Sequence, residues 1–356
     1  MKAKVVIIGA GVVGLFSGLR LAERGADVTV IDGDLEDWES RGCAASRAAA
    51  GMLAPVSEAQ IAHPGAHPRA GELDRASFEL WRAAPDFLRP HINFCGALLL
   101  SEFGAGIAEA ERLDRAEIRR RFGLDAESGA LVKDEGVVDP IPALRAMAER
   151  IRALGGAVHF DREAETVETR PWLRVRCFGG ATFSADRVVL APGAWASEAL
   201  AALAPALRHV GPARGCLAPV TMAASLPLNV RARDFYLTQR TTGDIVLGAS
   251  MELGVAERRV DRSQIDMLFS AAERALPRQV WRSSRPAWAG VRAMSPDWSP
   301  LIGPSGLEGV LVACGHSRNG WLNAPITAEI VCAYVFGEEI NPLWAAFAPE
   351  RFETRA

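Results

Sequence analysis

The sequence predicts an α/β protein in which a parallel sheet with flanking helices is interleaved with an antiparallel sheet, on three observations. The first 32 residues run strand, glycine-rich turn, helix, strand. A second helix-to-strand step lies between Pro142 and Phe160, with the apolar strand Val188 to Ala191 downstream. From Cys216 to Ser250 the alternation becomes that of antiparallel strands, before the chain returns to strand and helix.

Lys4 to Ile8 is apolar and β-branched, as a strand buried on both faces requires. Leu15, Leu19 and Ala22 then recur at helical spacing until Gly25 stops the helix, and Val28 to Asp32 forms a second strand. Together they make a βαβ unit of the usual ~30 residues, whose crossover implies parallel strands. Residues 33 to 68 are rich in Gly, Ala, Ser and Pro without a clear period, which predicts a long loop with a short helix near Ala48 to Ala50. Helices follow at Leu73 to Ala84 and Arg115 to Arg121, with a strand at Gly96 to Leu100 between them. Ile141, Leu144, Met147, Ala148, Ile151 and Leu154 share one helix face, and Gly155-Gly156 ends that helix ahead of strand-like Val158 and Phe160. Hairpin strands from Val167 to Phe183 turn at Gly179-Gly180, and a second hairpin turns at Thr241 to Asp244, between Phe235 to Thr238 and Ile245 to Gly248. Helix Arg262 to Leu276 stops at Pro277, and strand Val310 to Ala313 leads to a last helix at Ala324 to Phe336.

At ~100 to 200 residues per domain, 356 residues suggest two domains, and without a clean linker they are expected to be interleaved. Lys plus Arg number 40 against 43 Asp plus Glu, so no basic excess exists to hold a phosphate backbone and nucleic acid is not an expected partner. The six cysteines, at 43, 95, 177, 216, 314 and 332, never form Cys-x-x-Cys, which argues against a zinc cluster or disulfide framework and fits a cytoplasmic location. Met1 to Lys4 ahead of an uncharged run to Arg20 imitates a signal peptide, but glycines at 9, 11, 14 and 18 and the strand that follows favour a folded start. No uncharged apolar run of ~18 residues occurs elsewhere, so no membrane span is expected. His63 and His67 are four apart, but Pro64, Gly65 and Pro68 deny them one helical face, and no metal site is expected. Ser46 and Ser317 lack the strand-turn-helix setting of a hydrolase nucleophile. Asp34, Glu36, Asp37 and Glu39 read as a solvated loop face.

Gly9-Ala10-Gly11-Val12-Val13-Gly14 is a G-x-G-x-x-G between a strand and a helix. The first glycine permits the tight turn, the second admits a pyrophosphate close to the backbone, and the third lets helix and strand pack. The phosphates then meet free N–H groups and the positive end of the helix. Asp32 closes the next strand, 18 positions after Gly14, where a carboxylate accepts from ribose hydroxyls and disfavours a 2′-phosphate. These residues make the parallel unit Rossmann-type and fix a dinucleotide, FAD and NAD sharing the fingerprint.

Further segments extend the pattern. Ala48 to Leu53 contains Ala50-Gly51-Met52; Val188 to Trp195 ends in Pro192-Gly193-Ala194-Trp195; Trp288 to Arg292, Pro296-Asp297 and Pro300 to Gly303 precede Gly315-His316-Ser317-Arg318-Asn319-Gly320 and Pro325. In order and spacing these resemble the D-amino acid oxidase family of FAD-dependent oxidoreductases over nearly the whole length, the glycine oxidase subgroup most closely. The resemblance implies FAD as cofactor, with flavin-contacting segments at Ala50 to Met52, Gly193 and Trp195, and Gly315 to Gly320. It implies an FAD-binding domain at 1–85, 141–215 and 285–356, interleaved with an antiparallel-sheet substrate domain at 86–140 and 216–284.

The resemblance also assigns substrate residues. Arg292 matches the family's carboxylate-binding arginine, a planar two-pronged donor, and Tyr236 its substrate-binding tyrosine. Arg318 matches a second pocket arginine, and Met251 a residue near the pocket. Three departures leave the side-chain preference open: Asp234 stands where the subgroup has histidine, Ala293-Met294 follow Arg292 in place of a Pro-Gly type pair, and Trp298 replaces a glycine. The implied activity is oxidation of glycine or another small amino acid or secondary amine to the imine, with O2 reduced to H2O2. In the subgroup that product can feed thiazole formation for thiamine. A D-amino acid dehydrogenase passing electrons to a quinone or other acceptor is the nearer alternative, a non-catalytic flavin-binding subunit the more distant one. Self-association as a homo-oligomer is compatible with either.

Overall fold

The computed structural model describes residues 2–352 except 39, 43, 60–64, 105, 108–109 and 223–224. The strands of the Rossmann-type sheet lie in the order Leu301–Pro304, Val310–Cys314, Arg187–Leu190, Lys4–Ile8, Asp27–Ile31, Ala157–His159. All neighbours are parallel except the Leu301–Pro304 edge. The central strand is apolar at every position after Lys4 for a reason: Val5 and Ile7 join the core under helices Val12–Glu23 and Gly320–Phe336, while Val6 and Ile8 join a second core. That second core lies under the three-stranded sheet Ala164–Glu168, Leu173–Cys177, Thr182–Ala185. Strand order reverses at Lys4–Ile8, and an open α/β sheet binds its ligands beyond the carboxyl ends of the strands at such a point.

Most elements fall within two residues of their expected positions. The terminal helix begins a turn early, at Gly320 rather than Ala324, and so carries Pro325 inside it. A proline has no N–H for the carbonyl four residues back. Here that carbonyl, of Trp321, accepts instead from the Trp81 indole at 3.0 Å, and Ser77 Oγ donates to the neighbouring Leu322 carbonyl at 2.6 Å. The helix is buried nearly all round, so proline is accommodated by tertiary partners that no local pattern reveals.

The larger antiparallel sheet is built on the twelve-residue strand Gly211–Met222, paired with Ile245–Gly248, Glu252–Leu253, Val280–Arg282 and Trp288–Met294. It continues through Tyr236–Gln239 and Asn229–Arg231 to Ala97–Leu100, so segments from around residue 100 and residue 230 share one sheet. Gly211–Met222 runs across the expected 215/216 boundary, and Trp288–Met294, expected with the FAD-binding part, pairs into this sheet. The hairpin turn after Gln239 holds the two layers together. Arg240 donates to the Ala49 carbonyl at 2.8 Å, and the Thr241 and Thr242 N–H groups each donate to the Asp139 carboxylate at 3.1 Å. Among the described residues no helix is long and apolar enough to cross a membrane.

Candidate active site

A cleft opens where the loops after Lys4–Ile8, Asp27–Ile31, Arg187–Leu190 and Val310–Cys314 converge. Gly9, Gly11, Val12, Val13 and Asp32 line one wall of its inner part, and Gly193, Trp195, Gly315 and His316 the other. Gly9 has φ +113°, and a Cβ there would run into the Ala191 carbonyl. A Cβ on Gly14 would run into the Gly9 carbonyl, so the loop is packed too tightly for side chains. Gly11 differs: its φ of −69° suits any residue, and a Cβ would meet nothing nearer than Ser46 Oγ at 3.3 Å. What this glycine preserves is open cleft against the helix N-terminus, the cradle a pyrophosphate needs. Ser46 Oγ accepts from the Val12 N–H at 2.9 Å, which leaves Val13 at the lip of the helix facing the cleft. Asp32 accepts from the Ala10 N–H at 2.6 Å and from the Asp34 N–H at 2.8 Å, one on each oxygen. Burial raises its pKa, and each oxygen retains a lone pair for a ribose hydroxyl. The donors and acceptors fit FAD.

The outer part of the cleft, about 200 Å³, adjoins the first through Val12, Ser46, Arg292 and Gly320. Ala50, Gly51, Met52, Tyr236, Met251, Arg318 and Asn319 line it, with Asp234 exposed at its mouth. Two glycines make room for the polar pair. Gly215 lies under the Arg292 guanidinium, and Gly248, directly across the ladder from Tyr236, lies under the phenol; a Cβ at either would collide with the group above it. Arg292 donates to the Ser250 carbonyl at 3.2 Å, and among the described residues no carboxylate lies within ion-pair distance of it. Burial, with Arg318 nearby, lowers its pKa below the ordinary guanidinium value, while Tyr236 acts the other way. Burial raises the Tyr236 pKa, so the hydroxyl stays protonated and able to donate.

Arg318 is differently placed. Its Nε donates to Glu58 Oε2 at 3.0 Å and its Nη2 donates to the same oxygen, while Glu58 Oε1 accepts from Arg231 at 2.6 Å. Behind them Arg231 donates to Ser57 Oγ, and the Ser57 N–H donates to buried Glu135 at 2.6 Å. Burial would push the Glu58 pKa up, but the two guanidiniums hold it down at about 2. Because the folded value lies below the ordinary one, the pair stabilises the fold above pH 4.5 and loses that contribution as pH falls from 4.5 toward 2. Glu58→Gln leaves buried Arg231 and half-buried Arg318 without the carboxylate they share and is expected to cost about 3 to 5 kcal/mol. Chemical denaturation across that pH range checks it: the acid-dependent loss seen in the wild type should shrink in the variant.

His316 is buried, its Nε2 hydrogen-bonded with Thr327 Oγ1 at 2.9 Å, and burial pulls its pKa down to about 3, so it faces the cleft as a neutral ring. Met294 is buried, bridges His316 at the end of its strand, and lines neither part of the cleft, unlike the expected pocket position. His63, Glu39 and Cys43 lie outside the described residues. Among the described residues no group of three or more His, Cys, Asp or Glu could hold a metal ion. Sequence reasoning missed Ser46, Glu58, Gly215, Arg231 and Gly248. Glu58 and Ser46 fall in the loop without a period; Gly215 and Gly248 did carry a signal, since glycine inside a strand pattern marks close approach of another group.

Comparison with known proteins agrees with this geometry. A family model described as FAD dependent oxidoreductase (DAO) matches residues 4–334. The bifunctional protein ThiO/ThiG of Synechocystis is 30% identical over 98% of this chain and 54% of its own length. The chain thus spans about half the length of the first curated relatives it matches. A glycine oxidase of Pseudomonas aeruginosa is 29% identical over 98% of this chain and 99% of its own. The crystal structure of glycine oxidase from Geobacillus kaustophilus superposes with a TM-score of 0.81 at 27% identity, covering 100% of both chains. With the dinucleotide cleft, the paired sheets and a match over most of the sequence in agreement, the chain belongs to the DAO family of FAD-dependent oxidoreductases.

Proposed function

We propose that the protein oxidises glycine or another small amino acid or secondary amine carrying one carboxylate, with O2 as electron acceptor. The observation that carries this reading is Arg292, a guanidinium in the cleft that has no ion-pair partner among the described residues and lies beside a neutral phenol. Of the guanidiniums lining this end, Arg318 and Arg231 share Glu58 and Arg233 is exposed to solvent, so Arg292, unpaired among the described residues and set inside the cleft, is the one that a substrate carboxylate would complete. The names of the glycine oxidases at 28–29% identity support the substrate class.

Gly9 to Gly14, Asp32, Ala50 to Met52, Gly193, Trp195 and Gly315 to Gly320 would hold FAD, which when bound would supply the two-electron acceptor. Arg292 holds the carboxylate by a two-pronged contact, and the Tyr236 hydroxyl donates to it as well, so the Cα–H cannot turn away from the cofactor wall. As Cα loses its hydrogen with two electrons, the amine lone pair forms C=N, and no side chain is required as a base. Water then splits the imine. Glycine, O2 and water yield glyoxylate, ammonia and H2O2; sarcosine releases methylamine in place of ammonia.

The test is a substrate panel on the purified yellow protein: glycine, sarcosine, D-alanine, D-proline and basic D-amino acids. Anaerobic bleaching by a small amino acid, with one H2O2 per substrate once air is admitted, is the expected result. Bleaching without peroxide, reversed by a quinone, would make it a dehydrogenase. Failure of every amine to bleach the flavin would reject amine oxidation and leave a flavin-binding subunit. Bleaching by basic substrates alone would give Asp234 the larger part in selection.

A further inference from the structure

Asn319 is the N-cap residue of the terminal helix, yet its side chain caps nothing. Its amide donates instead to Asp74 Oδ2 at 3.1 Å, and Asn323, one turn on, donates to Asp74 Oδ1 at 2.8 Å. Asp74 is 4% exposed in helix Ala70–Arg82, which packs along the terminal helix. An N-cap asparagine ordinarily satisfies the N–H of the second or third helical residue. With it diverted, the start of the helix keeps unspent donors, and Asn319, Gly320 and Trp321 all line the cleft.

We propose that Asp74 is a positioning residue for the cofactor: it draws the Asn319 amide off the helix end, keeps those N–H groups open toward FAD, and sets the charge behind them. The proposal rests on FAD lying against Gly315 to Gly320. It does not require any particular substrate.

The groups around Asp74 make its charge adjustable. Burial pushes its carboxyl up to about 7 against the two amide donors. From helix Pro55–Ala59, Glu58 acts in the same direction; on its own helix, Arg75 opposes it. The terminal helix faces it with two asparagines, its single ionisable carboxylate, Glu329, being paired with Arg20. Helix Pro342–Ala345 brings no ionisable side chain. A negative Asp74 offsets the positive helix end, and protonation removes that offset. A folded pKa raised above the ordinary carboxylate value means that the ionised form is the strained one, present above neutral pH.

Asp74→Asn fixes the neutral state in nearly the same shape. Its carbonyl accepts from Asn319, and its amide supplies a donor for Asn323 Oδ1, which is buried without a partner in the wild type, once Asn323 turns over. The measurement is the flavin midpoint potential of the holoenzyme between pH 5.5 and 8.5, without substrate. The two proteins should coincide at the acid end and part above neutrality, the wild type becoming harder to reduce and only it showing an inflection. Curves that coincide throughout, or run parallel, would overturn the proposal. Asp74→Ala tests the positioning part apart from the charge: it frees the Asn319 side chain to cap the helix and should weaken FAD binding roughly tenfold, and adding Asn319→Ala, which leaves no side chain to cap with, should restore it. Affinity equal to the wild type in Asp74→Ala, or no recovery in the double variant, would overturn the positioning role. Since neither readout involves turnover, a protein that oxidises no amine would leave this inference intact, and a protein that oxidises glycine without the predicted divergence would refute it alone.

Discussion

Replacing Arg292 by alanine is expected to lower kcat/KM by about tenfold to a hundredfold or more, because a charge-assisted contact to the substrate carboxylate is worth about 1.5 to 3 kcal/mol. FAD content should not change, because the residues proposed to hold the dinucleotide, Gly9 to Gly14 and Asp32, lie beyond other strands. Stability should not fall either. The Arg292 charge is disfavoured by burial and by Arg318, Glu58 only partly offsets this, and no ion pair involves Arg292 among the described residues, so alanine relieves the fold instead of breaking a salt bridge. Arg292→Lys should recover part of the activity, restoring a point charge without the planar fork. Steady-state kinetics beside a thermal melt separate these outcomes. Undiminished turnover, or activity lost only in step with stability, would remove Arg292 from its assigned part.

The glycine loop gives the second large effect, and it divides two neighbours. Gly9→Ala places a Cβ against the Ala191 carbonyl at φ +113°, a backbone strain of about 1 to 3 kcal/mol before the collision is counted. It is expected to lower the melting temperature and to purify colourless. Gly11→Ala should fold nearly as well as the wild type, since φ is ordinary and only Ser46 Oγ, at 3.3 Å, must give by a few tenths of an ångström. It should nonetheless bind FAD about tenfold or more weakly, because the new methyl stands where the pyrophosphate passes. The absorbance ratio of flavin to protein after dialysis, with a melt of the apoprotein, reads both. Wild-type flavin content in Gly11→Ala would mean that the cleft beside the helix is not the pyrophosphate path.

The parallel layer was legible because its signals are local. Period, glycine and a terminal acid place Lys4–Ile8, Val12–Glu23 and Asp27–Ile31 to within a residue or two. The hairpin at Thr241 to Asp244 was equally legible from its turn residues. Family resemblance, rather than periodicity, drew attention to Arg292 and Tyr236. What lies under them was illegible for a different reason: Gly215 and Gly248 matter through strands brought together by register, and the collision they avoid exists in three dimensions alone. Glu58 sits 173 and 260 positions from the two arginines it joins, in a stretch with no period to anchor it. The early start of the terminal helix was illegible for the same reason, since the group that replaces the hydrogen bond missing at Pro325 comes from Trp81. Met294 was expected at the pocket because it departs from the family's pair after Arg292, whereas it is buried, bridges His316 and lines neither part of the cleft.

The most direct test is a crystal structure of the FAD-loaded protein soaked with glycolate, which has the carboxylate of glycine and no amine to oxidise. The account predicts both carboxylate oxygens on the Arg292 guanidinium, the Tyr236 hydroxyl within hydrogen-bond distance, and the ligand's Cα facing the flavin. A carboxylate seated on Arg318, or at the exposed mouth beside Asp234 with Arg292 left bare, would contradict it.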